Sequence, residues 1–314
     1  MKDQNVLLEA PNQAVLEPFL DSTPLLARPE ALRQRAGEEG YLFFRQALPK
    51  EPIAELRRQI LAICERHGWG IPGTDGRCNL DAVNRIPKED LGMHIPAPVY
   101  AEVQRLELFH RLPHHPRLLA IYEAIFGEPV LPHPRCIARV VLPHREAAPT
   151  PPHQDFIHIQ GTRRFWTCWF PLGDCPTNLG GVVVLKGSHR GGIRGYSAAQ
   201  GAGNVAAEVC PGELTWVGGN FESGDLLTFP SMTVHKALRN EYPEQIRLSC
   251  DNRYQAVSQP VEKKSLEPHG RVLPWEEVYR DWKSTDLHYY WKKMDLVLSD
   301  WDDSIRWQKE RICD

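Results

Sequence analysis

The sequence lacks the features that would send it to a membrane or to nucleic acid. No apolar run reaches about 18 residues, the length that a membrane-spanning helix needs. The opening MKDQNVLLEAPNQ has no basic stretch leading into an apolar one, so it does not read as a secretory signal. The net charge is only −3 and no block of like charges occurs. Neither nucleic acid nor an anionic membrane surface gains support from that balance. The phosphate-cradling patterns Gly-x-Gly-x-x-Gly and Gly-x-x-x-x-Gly-Lys-Ser/Thr are both missing, which removes the usual sequence case for nucleotide binding. Eight cysteines are scattered at 64, 78, 136, 168, 175, 210, 250 and 313, with no Cys-x-x-Cys pair. A thiolate zinc site is therefore not expected, and the cysteines read as buried small hydrophobes in a reducing cytoplasm. Internal repeats and low-complexity stretches are also absent.

What remains is ordinary globular material. Apolar residues make up 42% and charged residues 25% of 314, enough to bury one large core in a single domain. Residues 1–134 read as helical support plus a loop. A helix and a short strand fall within 30–48, where Gly40 precedes Tyr41-Leu42-Phe43-Phe44. Ile53, Leu56, Ile60 and Ile63 share one face of a helix over 51–67, with Pro52 near its start and Gly68 at its stop. Two further helices are expected at 97–112 and 116–126. Between them, 69–96 shows no steady period and reads as a long loop of the kind that covers binding sites.

The texture changes over 135–255. Short β-branched and aromatic runs at 136–142, 165–172, 182–185, 214–217, 226–229 and 246–254 alternate with Gly and Pro turns. That pattern predicts a mainly β core, a sandwich or barrel, flanked by helices. The tail, 256–314, returns to helical spacing. Trp275, Val278, Tyr279 and Trp282 share a face, and Leu287, Tyr290, Trp291 and Met294 another. Five of the nine tryptophans lie there, so this extension is expected to pack on the core as a helical flap or to form a homodimer surface.

Chemistry concentrates in Pro151-Pro152-His153-Gln154-Asp155. Alternate residues of a strand point to one side, so His153 and Asp155 can present an imidazole and a carboxylate to one point. A third ligand must come from a distant strand, and His235 is the candidate. Two histidines and one carboxylate fill one face of an octahedral iron(II) ion and leave the other positions open. Twelve residues on stands Arg247 (247 − 235 = 12). Its strand alternates: Ile246, Leu248 and Cys250 on one side, Arg247, Ser249, Asp251 and Arg253 on the other. A polar strand face needs water or polar partners, and an arginine there can grip a carboxylate with paired hydrogen bonds.

These residues resemble the phytanoyl-CoA dioxygenase family. His153-Gln154-Asp155, the run Val182 to Arg190 with its Gly187-Ser188-His189 turn, His235, Arg247 and the Glu39–Phe44 segment carry the likeness, over roughly 30–255. The resemblance implies a double-stranded β-helix, a jelly-roll barrel of the cupin type. It implies iron(II) on His153, Asp155 and His235, with 2-oxoglutarate and O2 as co-substrates, and Arg247 on the far carboxylate of 2-oxoglutarate. Gln154 and Trp169 match positions that line the co-substrate pocket in relatives. Because Asp155 is kept where halogenating relatives have a small residue, hydroxylation of a small-molecule C–H bond is the expected reaction. Arg139 and His158 are weaker candidates for touching substrate. A structural ion pair for Arg139 and a satisfied surface position for His158 are the plainer alternatives. Rival functions stay open at this stage: a cupin-like metalloenzyme without 2-oxoglutarate, a non-catalytic barrel that binds a small ligand, or an enzyme that uses the same cofactors for ring closure, desaturation or epoxidation.

Overall fold

The computed structural model describes residues 16–91, 95–210 and 215–310. The amino-terminal stretch, the Pro211-Gly212 turn with Leu214, and Cys313 lie outside these residues. Two sheets dominate. The larger runs in the order β2 (Leu42–Phe44), β10 (Leu226–Pro230), β5 (Trp166–Pro171), β12 (Arg247–Ala256) and β3 (Val130–Pro132), with β4 (Ile137–Val141) also paired to β12. The smaller runs β1 (Glu17–Pro18), β9 (Trp216–Gly218), β6 (Val182–Leu185) and β11 (His235–Ala237). Two minor ribbons pair β7 (Tyr196–Ala198) with β8 (Val205–Ala207), and β13 (Val261–Glu262) with β14 (Leu298–Ser299). One buried cluster holds Phe43, Trp169 and Leu227 from the larger sheet and Val182, Val184 and Val217 from the smaller. The two sheets therefore face each other across a shared interior. They remain two open layers: among the described residues no ladder joins them into a closed ring.

The strands of the core do not begin at 135. β1, β2 and β3 fall within residues 17–132 and complete both sheets. Helices α1 (Pro29–Glu39), α2 (Lys50–Arg66), α3 (Leu80–Val83), α4 (Ala97–Gln104), α5 (Glu107–Arg111) and α6 (Pro116–Phe126) occupy the same part of the chain. The apolar face expected on α2 is buried as Ile53, Leu56, Ile60 and Ile63. It joins Ala138, Val140, Cys168, Phe170, Leu248 and Cys250 on the outer face of the larger sheet. At about 1.5–3 kcal/mol for each large apolar side chain removed from water, this face anchors the helical layer. Gly40 closes α1 at φ +75, and a Cβ there would meet the His189 ring at 2.3 Å. The turn at 187–189 thus packs on the end of α1, and His189 hydrogen-bonds the Gly37 carbonyl rather than reaching the interior.

Three expectations need correction. The helix expected over 97–112 breaks at Arg105-Leu106, where Leu106 turns extended; His110 takes the Gln104 carbonyl at 2.9 Å, in the last turn of α4. The 69–96 loop is not structureless, since Asn79 caps α3 and Gly70 bridges Cys78. The tail forms one short α-helix, α8 (Trp275–Tyr279), and 3-10 turns at Lys263–Leu266, His269–Arg271, Tyr290–Lys293 and Ile305–Trp307. Its aromatic side chains still pack as the spacing suggested, with Trp275, Tyr279 and Trp291 in one buried cluster with Leu131 and Val261. The backbone between them is irregular. Six described cysteines are buried free thiols, as expected, but Cys210 is disulfide-bonded.

α7 (Phe156–Ile159) is a four-residue helix that follows directly on Asp155. No helix among the described residues is long and apolar enough to cross a membrane.

Two histidines are sealed in this framework. His110 lies under Trp275 and Trp282, and burial pushes its pKa down to about 4. His133 bonds Gln255 at 2.8 Å, and burial pushes it down to about 3. Both bind fewer protons folded than unfolded across the interval below 6.5, so stability must fall as pH drops through it. At one pH unit below 6.5 each should cost about 1.4 kcal/mol. Urea unfolding of the metal-free protein at pH 7.5 and pH 5.5 measures this, and equal stabilities at the two pH values would contradict the buried-neutral assignment.

Candidate metal centre

His153 and His235 are joined before any metal is considered. The His153 N–H donates to the His235 carbonyl at 2.9 Å, and the His235 N–H donates back to the His153 carbonyl at 3.0 Å. This is a single antiparallel pair outside the regular ladders. β11 is held on its other side by β6, with His235 opposite Val184. The rings are tilted at 50° to each other with centroids 4.1 Å apart, and Phe229 lies against His235 at 4.4 Å.

The chain leaves extended pairing directly after His153. Asp155 has helical backbone angles and opens α7. The Phe156 N–H bonds the Ser231 carbonyl, pinning this change of course beside the segment that leads to β11. His153 and Asp155 were expected on one face of a strand; the structure brings them together by a strand-to-helix turn instead. The outcome for the ligand atoms is convergent. Asp155 Oδ1 lies 3.6 Å from His153 Nε2 and 3.9 Å from His235 Nε2. One ligand atom from each of the three lies within 4.8 Å of the others, and all three side chains are buried. These separations exceed a hydrogen bond, which leaves room for an ion between them rather than a shared proton.

The second ring nitrogens fix the tautomers. His153 Nδ1 faces the Pro151 carbonyl at 2.8 Å, and His235 Nδ1 faces the Thr233 carbonyl at 3.1 Å. A carbonyl only accepts, so each Nδ1 carries the proton and each Nε2 offers a lone pair. Burial, then the neighbouring His153, pushes the His235 pKa down to about 3, so its ring is a neutral ligand. For Asp155, burial opposes ionisation, but the Arg253 guanidinium outweighs it and holds the carboxyl well below the usual range. Two neutral imidazoles and one ionised carboxylate fit a divalent ion of the iron(II) kind.

Around these three, the inner face of β12 is polar as the alternation predicted. Arg253 Nη2 donates to Asp155 Oδ2 at 2.9 Å, and the Thr167 hydroxyl donates to the same oxygen. Arg139 pairs with Asp251 at 2.7 Å, an ion pair of the kind named as its plainer alternative. Arg247 is buried and donates to Ser249 Oγ at 2.6 Å; its Nε has no partner, and among the described residues no carboxylate pairs with it. Trp169 lies on the inner face of β5, opposite Asp251 and edge-on to Phe221 at 4.7 Å. Gln154 is fully engaged: its amide donates to the Gly192 and Met232 carbonyls and accepts from Arg194 N–H and Tyr196 OH. That exhausts its hydrogen-bonding capacity on the framework. His158, on α7, is half-buried with its ring 5.7 Å from that of His153.

Sequence reasoning missed Thr167 and gave Arg253 no role. Arg253 carried a signal, since a cation on a buried strand face needs an anion. Thr167 carried none, because its position depends on β5–β12 register.

Residues 37–247 match the family described as phytanoyl-CoA dioxygenase (PhyH). The chain is similar to a 1-deoxypentalenic acid 11-beta-hydroxylase of Streptomyces arenae, 28% identical over 277 residues covering 84% of this chain and 92% of the relative. A namesake from Streptomyces exfoliatus is 28% identical over 280 residues, 85% and 93% of the two chains. Among solved structures, the epimerase SnoN in complex with Fe3+, alpha ketoglutarate and nogalamycin RO shares the fold, with TM-score 0.53 and 22% identity over 75% of this chain and 86% of that one. The non-heme monooxygenase ThoJ does so with TM-score 0.51 and 16% identity over 72% and 78%.

The Arg139–Asp251 pair makes a testable statement. Arg139→Met strands a buried carboxylate and should cost about 3–5 kcal/mol, whereas Arg139→Met with Asp251→Leu should recover most of it. Chemical denaturation of the three proteins checks this; equal losses in the single and double variants would deny the coupling.

With two thirds of its length matched and the ligand set in place, the chain belongs to the phytanoyl-CoA dioxygenase family.

Proposed function

We propose that this protein is an iron(II)- and 2-oxoglutarate-dependent dioxygenase that hydroxylates a C–H bond of a small molecule. The observation that carries the proposal is the convergence of His153 Nε2, His235 Nε2 and Asp155 Oδ1, with tautomers and charge already set for a divalent ion. Bound together, iron(II) and 2-oxoglutarate activate O2 to place one oxygen on a C–H bond while the co-substrate leaves as succinate and carbon dioxide.

The chain's own residues supply position and exclusion of water. His153, Asp155 and His235 hold the metal. Arg247 holds the distal carboxylate of 2-oxoglutarate, a reading supported by its burial and its lack of an acidic partner among the described residues. Fixing that end sets the co-substrate's orientation before the reaction begins. Trp169 borders the co-substrate on the inner face of β5. Gln154 acts by position: its four bonds tie the peptide between the first two ligands to the 192–196 segment and to Met232. His158 faces the substrate from α7.

The two facing sheets are read as a jelly-roll, within a single oxygenase domain extended by the tail. The named reaction of the two Streptomyces relatives supports hydroxylation, and a free small molecule of the same kind as 1-deoxypentalenic acid as substrate. Val297, Leu298 and Trp307, at 57%, 50% and 70% exposure, support a homodimer contact through the tail.

Anaerobic titration of iron(II) and 2-oxoglutarate into metal-free protein tests the proposal. A visible charge-transfer band should appear only with both additions. It should vanish in His153→Ala, and in Arg247→Ala it should need about tenfold or more 2-oxoglutarate. Tight iron binding with no band would turn the assignment to a metalloenzyme that does not use 2-oxoglutarate. No iron binding would turn it to a ligand-binding barrel.

A further inference from the structure

Asp155 offers two oxygens, and the protein has committed one of them. Thr167 on β5 and Arg253 on β12 stand directly opposite each other in the strand register. Both side chains are buried, and both donate to Asp155 Oδ2, Arg253 at 2.9 Å. Oδ1 is the oxygen that faces the two imidazole Nε2 atoms. A carboxylate oxygen accepts about two hydrogen bonds, so Oδ2 is saturated. Turning it toward a metal would break both bonds in a buried place, one of them charge-assisted. Arg253 could not recover the loss, because among the described residues its Nε and Nη1 have no partner either.

We propose that Arg253 and Thr167 are positioning residues that restrict Asp155 to a single metal bond through Oδ1. The proposal rests on the metal reading above and extends it to coordination number. With one bond from each protein ligand, three of the six octahedral positions stay open. A chelating 2-oxoglutarate needs two of them, and the third remains for a further small ligand. If Asp155 bound through both oxygens, the chelate would fill the shell. The cross-strand pair therefore guards the vacancy.

Mn(II) in place of iron makes this measurable without catalysis. The number of exchangeable waters on the bound ion is read from 17O-water broadening of the Mn(II) spin resonance, and 2-oxoglutarate affinity from calorimetry. The wild-type site should hold three waters. Arg253→Met should hold two, keep or tighten its Mn(II) affinity, and bind 2-oxoglutarate about tenfold or more weakly. Thr167→Val should move in the same direction, and Arg253→Lys should restore three waters. A purely structural role would weaken metal and fold together and leave the water count alone. Three waters in folded Arg253→Met and Thr167→Val overturns the proposal, as does loss of Mn(II) from a folded variant. Should Arg253→Met fail to fold by thermal melt, Thr167→Val decides. Wild-type protein that binds no Mn(II) would overturn the metal reading itself, a result distinct from a three-water wild type with unaffected variants.

Discussion

The reciprocal backbone pair between His153 and His235 is the constraint on which the site depends. Two hydrogen bonds, 2.9 and 3.0 Å, bring together residues 82 positions apart (235 − 153 = 82). Because the link is made by main chain, it fixes where both side chains begin, and the Nδ1–carbonyl bonds then fix how each ring is turned. Little rotamer freedom is left to lose when an ion arrives, so the cost of ordering the ligands is borne in folding. β6 supports the same strand from the other side, which makes the smaller sheet the platform for one ligand and its bridge the platform for the next.

The third ligand is controlled from the larger sheet. β12 carries a buried row of Arg247, Ser249, Asp251 and Arg253 along one face, while Leu248 and Cys250 enter the main apolar core on the other. Such a row is costly to bury unless each charge is matched. Arg139 answers Asp251, and Asp155 answers Arg253. Arg247 is the residue left without an acidic partner among those described, and on the reading proposed above a dicarboxylate co-substrate would supply the missing charge. Charge balance along one strand thus separates the residues whose charges are matched within the fold from the one whose charge is not.

Much of this was legible in the sequence, although not always for the right reason. The period-two alternation of 246–254 identified the polar face of β12 because a long central strand buried on both faces has no freedom to shift register. The helices at 50–66 and 116–126 were legible from apolar spacing and from their Pro and Gly ends. His153 and Asp155 were found by a strand rule that does not apply, since Asp155 opens a helix. The spacing works because a strand-to-helix turn also brings positions two apart to one side. Thr167 was invisible, because its meaning comes from lying opposite Arg253 across a ladder. The tail misled the periodic reading: its aromatic residues pack through an irregular chain, and packing of large side chains does not require the helix that their spacing suggests.

That irregular tail also bears on the site, beyond the end of the family match at 247. α7 has only four residues, too few to persist without outside support, yet it begins with Asp155, one of the three candidate metal ligands. Gln160, at its end with φ 58, exchanges two hydrogen bonds with Asp302, donating to the carbonyl and accepting from the N–H at 2.8 Å each. Ile305 packs beside Phe156, Ile157 and Ile159. Glu310 pairs with Arg163 and exchanges bonds with the Ile193 backbone, next to the Gly192 carbonyl that holds Gln154. The tail therefore clamps both the helix that presents Asp155 and the segment that secures the peptide before it. A short helix can carry a ligand here because its far end is held by the chain's last described turn.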